Sequence, residues 1–357
     1  MKIWFDILTP KQLLFFEPMI KKLRKNHDIL CTTRNYNEVT SLAQIRHFPL
    51  KVVGKHGGGE KSEKLRASIK RMAELSKIIE DYSPNCVVSF CSPEASRVSF
   101  GLGIYHIVFS DSPHADAVMK LSLPLIQKLL IPWIIPKNEF TKFGIKEKDI
   151  IQYRAIDAAS ISKRIIDNKI KLPYNTSKKT ILVRIEEEYA SYSKKNNMII
   201  PLVKALLKKF GDLNIVISCR YQSQAKNLRK NFGDDIKILT MSYDGKQLLE
   251  NTNVFIGSGG TMTAEAALLG VPTISFNAVP NLIEEYLVRK KLVIRERNPN
   301  IIARKSEKLL LNQISKKRAK NELKNMEDPF DKLEQIIELR KNSRRKLVKI
   351  IQNRKYH

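Results

Sequence analysis

Two groups of residues have types and spacings that can do chemistry. The tighter group is "SGGTMTAE", Ser258 to Glu265, in which two glycines and hydroxyl side chains precede a carboxylate seven positions beyond the serine. Glycine lets a ligand approach the main chain. If a helix opens here, its unpaired amides and positive dipole end favour an anion such as phosphate, with Ser258, Thr261 and Thr263 adding hydroxyl donors. The plainer reading is a tight turn with Thr261 as helix cap and Glu265 as a first-turn acid, and geometry alone leaves both open. The second group is spread over four loops: Thr9, Lys11 and Gln12; His56 beside Gly57, Gly58 and Gly59; Ser92 and Glu94; and Asp111, Ser112 and His114. Each loop alone reads as a cap or turn, yet four at one end of a sheet argue for a site. A carboxylate or histidine there can take a proton from an attacking hydroxyl. Asp111 is the first candidate, His114 the second, and Glu94, expected to face them, the third. His56 fits a contact in a lid rather than a base.

These loops gain meaning from the elements that must position them. Apolar runs recur at 2–8, 28–33, 50–54, 86–90, 105–110 and 128–132, separated by amphipathic stretches such as 12–25 and 64–82. Alternation of this kind means βαβ units and a parallel sheet. A polar, lysine-rich stretch at 155–178 interrupts the pattern, which restarts with runs at 180–185, 214–219, 236–240, 253–257 and 272–276. The expectation is therefore two similar α/β domains, 1–165 and 179–330, joined by a linker at 166–178 and followed by a basic helix at 331–357. Ligands of open parallel sheets bind beyond the carboxyl ends of strands, so two facing sheets would share a cleft.

The totals agree with two domains. The chain has 357 residues, 43% of them hydrophobic and 28% charged, enough for sizeable cores on a soluble surface. With 64 Lys+Arg against 36 Asp+Glu its formal net charge is +28, a field that attracts nucleotides, nucleic acid or anionic lipid. No arginine-aromatic motif of a nucleic-acid reader is present, so nucleic acid rests on charge alone. Cys31, Cys86, Cys91 and Cys219 lie in apolar runs and read as reduced thiols; neither they nor His27, His47, His106 and His357 show metal-ligand spacing. "MKIWFDIL" runs straight into a strand pattern, which predicts no signal peptide and a cytoplasmic protein. "LSLPLIQKLLIPWIIP" (121–136) is too short and too broken to span a membrane. It reads either as core or as an apolar shoulder around Trp133 that, with the basic C-terminus, docks at the inner face of a bilayer to reach a lipid-linked acceptor.

The glycine loop with its following glutamate resembles the nucleotide-sugar motif of GT-B glycosyltransferases, notably the peptidoglycan N-acetylglucosaminyltransferase, and of the non-hydrolysing UDP-N-acetylglucosamine 2-epimerases. The resemblance implies that Ser258, Gly259, Gly260 and Thr261 bind diphosphate and that Glu265 binds ribose. "WFDILTPKQLLFFEPMI" and "SFCSPEASRVSFGLGIYHIVFSDSPHA" resemble an uncharacterised, mainly archaeal family, domain of unknown function 354, grouped with GT-B proteins; this resemblance spans nearly the whole chain. It implies an α/β, GT-B-like fold of two Rossmann-like domains whose sheets face an interdomain cleft. With no Asp-x-Asp metal site in the sequence, a leaving diphosphate would be neutralised by helix N-termini and basic side chains, for which Arg184 and Arg220 are candidates.

The sequence also departs from these relatives. "ILTPKQ" replaces the glycine-rich loop after the first strand of the peptidoglycan transferase. "VRIEEEYAS" lacks the histidine of the epimerases, and Ala264 stands where their loop has a second acid. The leading expectation is thus a metal-independent transferase that uses a UDP-sugar as substrate, without a cofactor, on an unknown acceptor. A 2-epimerase and a non-catalytic anion-binding protein are the alternatives.

Overall fold

The first strand shows why this sequence forms a parallel sheet. In KIWFD every side chain after Lys2 is buried, on both faces, as expected for a strand covered by helices on each side. The computed structural model describes residues 1–166, 171–185, 198–219, 221–239, 243–276, 278, 281–311 and 316–354, with side chains to residue 343. Two units result, residues 1–160 with 327–357, and residues 161–326.

Unit 1 contains β1 (Lys2–Asp6), β2 (Asp28–Asn35), β3 (Lys51–Lys55), β4 (Cys86–Ser89), β5 (Tyr105–Phe109), β6 (Lys128–Pro132) and β7 (Ile150–Tyr153). They form one parallel sheet in the order β3-β2-β1-β4-β5-β6-β7. The order reverses at β1, so the carboxyl ends of β1 and β4 lie at the switch point where such sheets bind ligands. Helix starts are set there by local chemistry. Thr9 caps Pro10–Leu23 with Pro10 in the first turn, and Ser92 caps Pro93–Gly101 in the same way. The C-terminal helix, Pro329–Arg354, belongs to this unit: Lys22 pairs with Asp328 at 2.8 Å, and the Arg340 guanidinium lies 4.8 Å from the Tyr105 ring centre. Its basic end, beyond residue 343, lies outside the described side chains.

Unit 2 contains β8 (Thr180–Arg184), β9 (Asn214–Ser218), β10 (Lys237–Leu239), β11 (Val254–Gly257), β12 (Thr273–Phe276) and β13 (Val293–Glu296), in the order β10-β9-β8-β11-β12-β13, all parallel. Alternate residues serve alternate cores. Ile181, Val183, Ile215, Ile217 and Ile256 fill one face, Leu182, Val216 and Phe255 the other. This sheet reverses at β8, which puts Arg184 and the Gly257–Thr261 loop at its switch point.

Two edge strands, β7 and β13, were not among the expected runs. Both are four residues long with only partial burial, too short and mixed to stand out by periodicity. Of the two readings of 121–136, the burial of this run agrees with core. Leu123 in a 3₁₀ turn, Leu129, Leu130 and Ile131 in β6, and Ile135 beyond it are buried, while Leu121, Pro124 and Pro136 are exposed. No described helix is long and apolar enough to cross a membrane. The four cysteines carry free thiols, and burial pushes those of Cys31 and Cys91 up to about 12.

Candidate functional site

In unit 2 the apolar strand β11 ends at Gly257, and the helix Thr261–Leu268 starts three residues after Ser258. The glycines are not equivalent. Gly259 has φ +80°, and a Cβ there would lie 2.5 Å from the Ala278 Cβ, so the fold itself requires glycine. Gly260 has an ordinary φ of −83°, and a Cβ there would meet nothing within 4 Å. Its missing side chain leaves open space over a helix start whose cap residue supplies no side-chain hydrogen bond. The Gly259 amide donates to Thr263 Oγ1 at 3.2 Å, which makes Thr263 a brace for the loop. Among the described residues the amides of Gly260, Thr261 and Met262 donate to nothing, and Ser258 sits half-buried beside them. A helix start in this state suits an oxyanion.

Glu265 lies one turn further on, 3% exposed. Its Oε1 accepts from Arg164 Nη1, while Arg164 Nη2 reaches Asp244 Oδ1 at 2.5 Å. Oε2 accepts no hydrogen bond among the described residues and faces Gly245, where even a Cβ would stand 3.5 Å away. Burial pushes the Glu265 carboxyl up; the Arg164 guanidinium counters this. Arg164 thus orients the carboxylate and leaves Oε2 open among the described residues. Arg184 Nη1 donates to Ser218 Oγ at 2.6 Å and the Cys219 carbonyl at 3.3 Å, tying the ends of β8 and β9 together. Arg220 lies outside the described residues.

In unit 1 the segments after β1, β5 and β7 converge on one partly buried charge cluster. Lys11 Nζ lies 2.5 Å from Asp111 Oδ2 and 2.8 Å from Asp157 Oδ2, and 4.4 Å from the centre of the Phe90 ring. Ser112 donates to Asp111 Oδ1 at 2.8 Å, and the Tyr153 hydroxyl donates to Asp157 Oδ1 at 2.5 Å. Burial would raise the Asp111 carboxyl, but Lys11 holds it below the usual carboxylate range; Asp157, buried beside a second carboxylate, is pushed up to about 6. Cys91, at the same sheet end, has a left-handed backbone, φ 48°, a strain that persists only where its surroundings enforce it.

A second cluster joins β1, β2 and β4. Arg71 bonds both oxygens of Asp6, at 2.6 and 3.1 Å, and Asp6 also accepts from Thr32 and Ser92, each at 2.7 Å. Glu94 belongs here, 3.7 Å from Arg71 Nη1 and 3.4 Å from Ser92 Oγ, rather than facing Asp111 as expected. The reason is local: Glu94 sits in the first turn of the helix that Ser92 caps, and Ser92 is anchored to Asp6. Gln12 is tied to the Leu8 amide and the Phe90 carbonyl, and Thr9 caps its helix, so both shape the β1 loop. His56 stacks on Tyr36 with centroids 5.0 Å apart, its Nδ1 accepting from Gly58. His114 is exposed. His106 is enclosed between Ser89 and Ser99, and burial lowers it to about 3. Among the described residues no group of three His, Cys, Asp or Glu is placed to hold a metal ion.

Sequence reading had passed over Asp6, Arg71, Asp157, Tyr153, Asp244 and Arg164. Asp6 carried a signal, an acid closing an otherwise apolar strand. Asp157 and Arg164 fell in or beside the stretch read as a polar pause and linker.

Two parallel α/β sheets, of seven and six strands, with charged and glycine loops at their carboxyl ends, make this a GT-B-like fold. It matches the UDP-GlcNAc 2-epimerase of Neisseria meningitidis bound to UDP-GlcNAc with a TM-score of 0.69 at 15% identity, over 92% of this chain and 96% of that one. The Methanocaldococcus jannaschii UDP-GlcNAc 2-epimerase in complex with UDP-GlcNAc and UDP gives 0.67 at 20% identity, over 92% and 96%. The spinosyn rhamnosyltransferase SpnG gives 0.62 at 12%, over 94% and 100%. The chain belongs to the DUF354 family, described as protein of unknown function, whose model matches residues 1–341. It is 31% identical over 302 residues to the uncharacterized protein MJ0665 of Methanocaldococcus jannaschii, covering 82% of this chain and 86% of that protein.

Proposed function

We propose that this chain transfers a sugar from a UDP-sugar donor to an acceptor hydroxyl. The observation that carries the reading is Gly260: a Cβ there would meet none of the described residues within 4 Å, and its absent side chain leaves open three helix-start amides that donate to nothing among the described residues. Donor diphosphate binds those amides with Ser258 and Thr261, the ribose diol donates to Glu265 Oε2, and Arg184 supplies further positive charge. In unit 1 Asp111, kept ionised by Lys11, takes the proton of the acceptor hydroxyl. The acceptor oxygen bonds to the anomeric carbon as the bond to diphosphate breaks, and UDP leaves. His114 stands in the same loop as a second proton carrier.

Calorimetric titration with UDP tests the donor half. Wild type should bind, with Glu265→Ala weakening affinity about tenfold to a hundredfold through the loss of a charge-assisted hydrogen bond. Gly260→Val should weaken it similarly by filling the approach. Equal affinity in all three proteins, or none in any, removes the reading. The epimerase folds that match with bound UDP-GlcNAc support a second reading, epimerisation at the sugar C2. Incubation of UDP-GlcNAc in deuterated water separates the two: deuterium at C2 without acceptor supports epimerisation, and UDP release only with acceptor supports transfer.

A further inference from the structure

Arg34 is the penultimate residue of β2, where the register with β3 slips between Thr33 and Asn35. Such bulges re-aim a side chain, and they concentrate beside functional sites. The Arg34 Nε is buried without a hydrogen-bond partner, and among the described residues no hydrogen bond or ion pair reaches its guanidinium. The two carboxylates nearby are already committed. Asp6 is held by both arms of Arg71, and Glu94 leans on Arg71 and Ser92. Burial therefore lowers the Arg34 pKa further than Glu94 raises it, and Arg71 adds repulsion. A guanidinium does not give up its proton in a protein, so the imbalance persists as an under-compensated buried charge.

Buried charges of this kind are paired in most folds, and an orphan calls for a partner from outside. We propose that Arg34 is the centre of an oxyanion subsite on unit 1 that takes a phosphate or carboxylate group. A guanidinium fork matches either group by two parallel hydrogen bonds. Arg34 is half-buried, and two residues further on Tyr36 stacks on His56. As an anion site this stands without the transferase reading; as the place that recognises the acceptor it rests on that reading. Then it also bounds the acceptor's size. β2 lies three strands from β5 in the sheet, on the order of 14 Å at roughly 4.8 Å per strand, so the charged group sits well away from the hydroxyl that meets Asp111. A single neutral monosaccharide does not reach both.

The test follows the Arg34 Nε–Hε correlation by NMR in the full chain, assigned by its loss in Arg34→Gln, during titration with inorganic phosphate and, separately, with acetate. A saturable shift with either anion is expected, and the stronger response identifies the group. The same titration on Gly260→Val keeps this site distinct from the unit 2 loop: the Arg34 shift should survive there even if the UDP reading fails. An Arg34 signal unmoved by both anions, or one that moves only when the unit 2 loop is intact, overturns the proposal. Arg34→Gln should weaken phosphate binding at this site about tenfold or more and raise the melting temperature, because it removes an uncompensated buried charge. A fall in melting temperature would make Arg34 a structural residue and overturn the proposal as well.

Discussion

The carboxyl edges of the two sheets solve the same positional problem with different materials. In unit 1 the edge is built from side-chain charges that satisfy one another: Asp6 with Arg71, and Lys11 between Asp111 and Asp157. In unit 2 it is built from main chain, with amides at the start of Thr261–Leu268 that donate to nothing among the described residues, over one carboxylate bonded to Arg164. Paired charges hold proton-transfer groups at fixed positions and protonation states. Open amides hold nothing until an anion arrives. The contrast is between an edge whose charges are already paired and one whose helix-start amides are open among the described residues.

Arg71→Leu should break the contrast most severely. It leaves Asp6 as an unpaired buried carboxylate at a cost of about 3–5 kcal/mol, measurable by urea unfolding. Replacing both residues, Asp6→Leu with Arg71→Leu, should recover most of that loss. A single-variant cost below about 1 kcal/mol would show that unit 1 does not depend on its charge pairing. Next in size is an acid effect on the same unit. His106 is lowered to about 3 in the fold against an ordinary 6.5, so the unfolded chain binds its proton first as pH falls. Its stabilising contribution is complete above pH 6.5 and declines by about 1.4 kcal/mol per pH unit below it, toward pH 3. Urea midpoints from pH 7 to 4.5 should show this slope, and His106→Asn should flatten it.

Smaller effects sharpen the picture of unit 2. Gly259→Ala should cost about 1–3 kcal/mol, because it forces a side chain into a left-handed backbone against Ala278. Gly260→Ala should change stability by less than about 0.5 kcal/mol. Equal costs would mean that both glycines serve the turn alone. The smallest measurement is a carboxyl titration by NMR. Asp157 should show a midpoint near 6 while Asp111 titrates below the ordinary carboxylate range. Two ordinary midpoints would mean that Lys11 does not organise the pair.

Much of this was legible from the chain. Alternating apolar runs placed eleven of the strands, because a parallel strand buried on both faces must be apolar throughout, and glycine at 259 and 260 marked the loop. Edge strands β7 and β13 were not legible, since IIQY and VIRE are four residues long and follow each apolar pair with polar residues. Nor was the fate of Glu94, whose side chain is drawn by Ser92 and Arg71 into a cluster no spacing announces.

Local chemistry therefore fixed the elements, their two-part arrangement and the loops that end on each sheet's carboxyl edge, because periodicity, caps and glycine act over a few residues. Tertiary structure decided which charges meet. Lys11 finds Asp111 and Asp157 a hundred or more positions away, Arg71 finds Asp6 across 65, and Arg34 is left without a hydrogen bond or ion pair to its guanidinium among the described residues. Those outcomes depend on strand order, which brings the ends of β1, β4 and β5 side by side, and on burial, which makes each pairing strong and each omission costly.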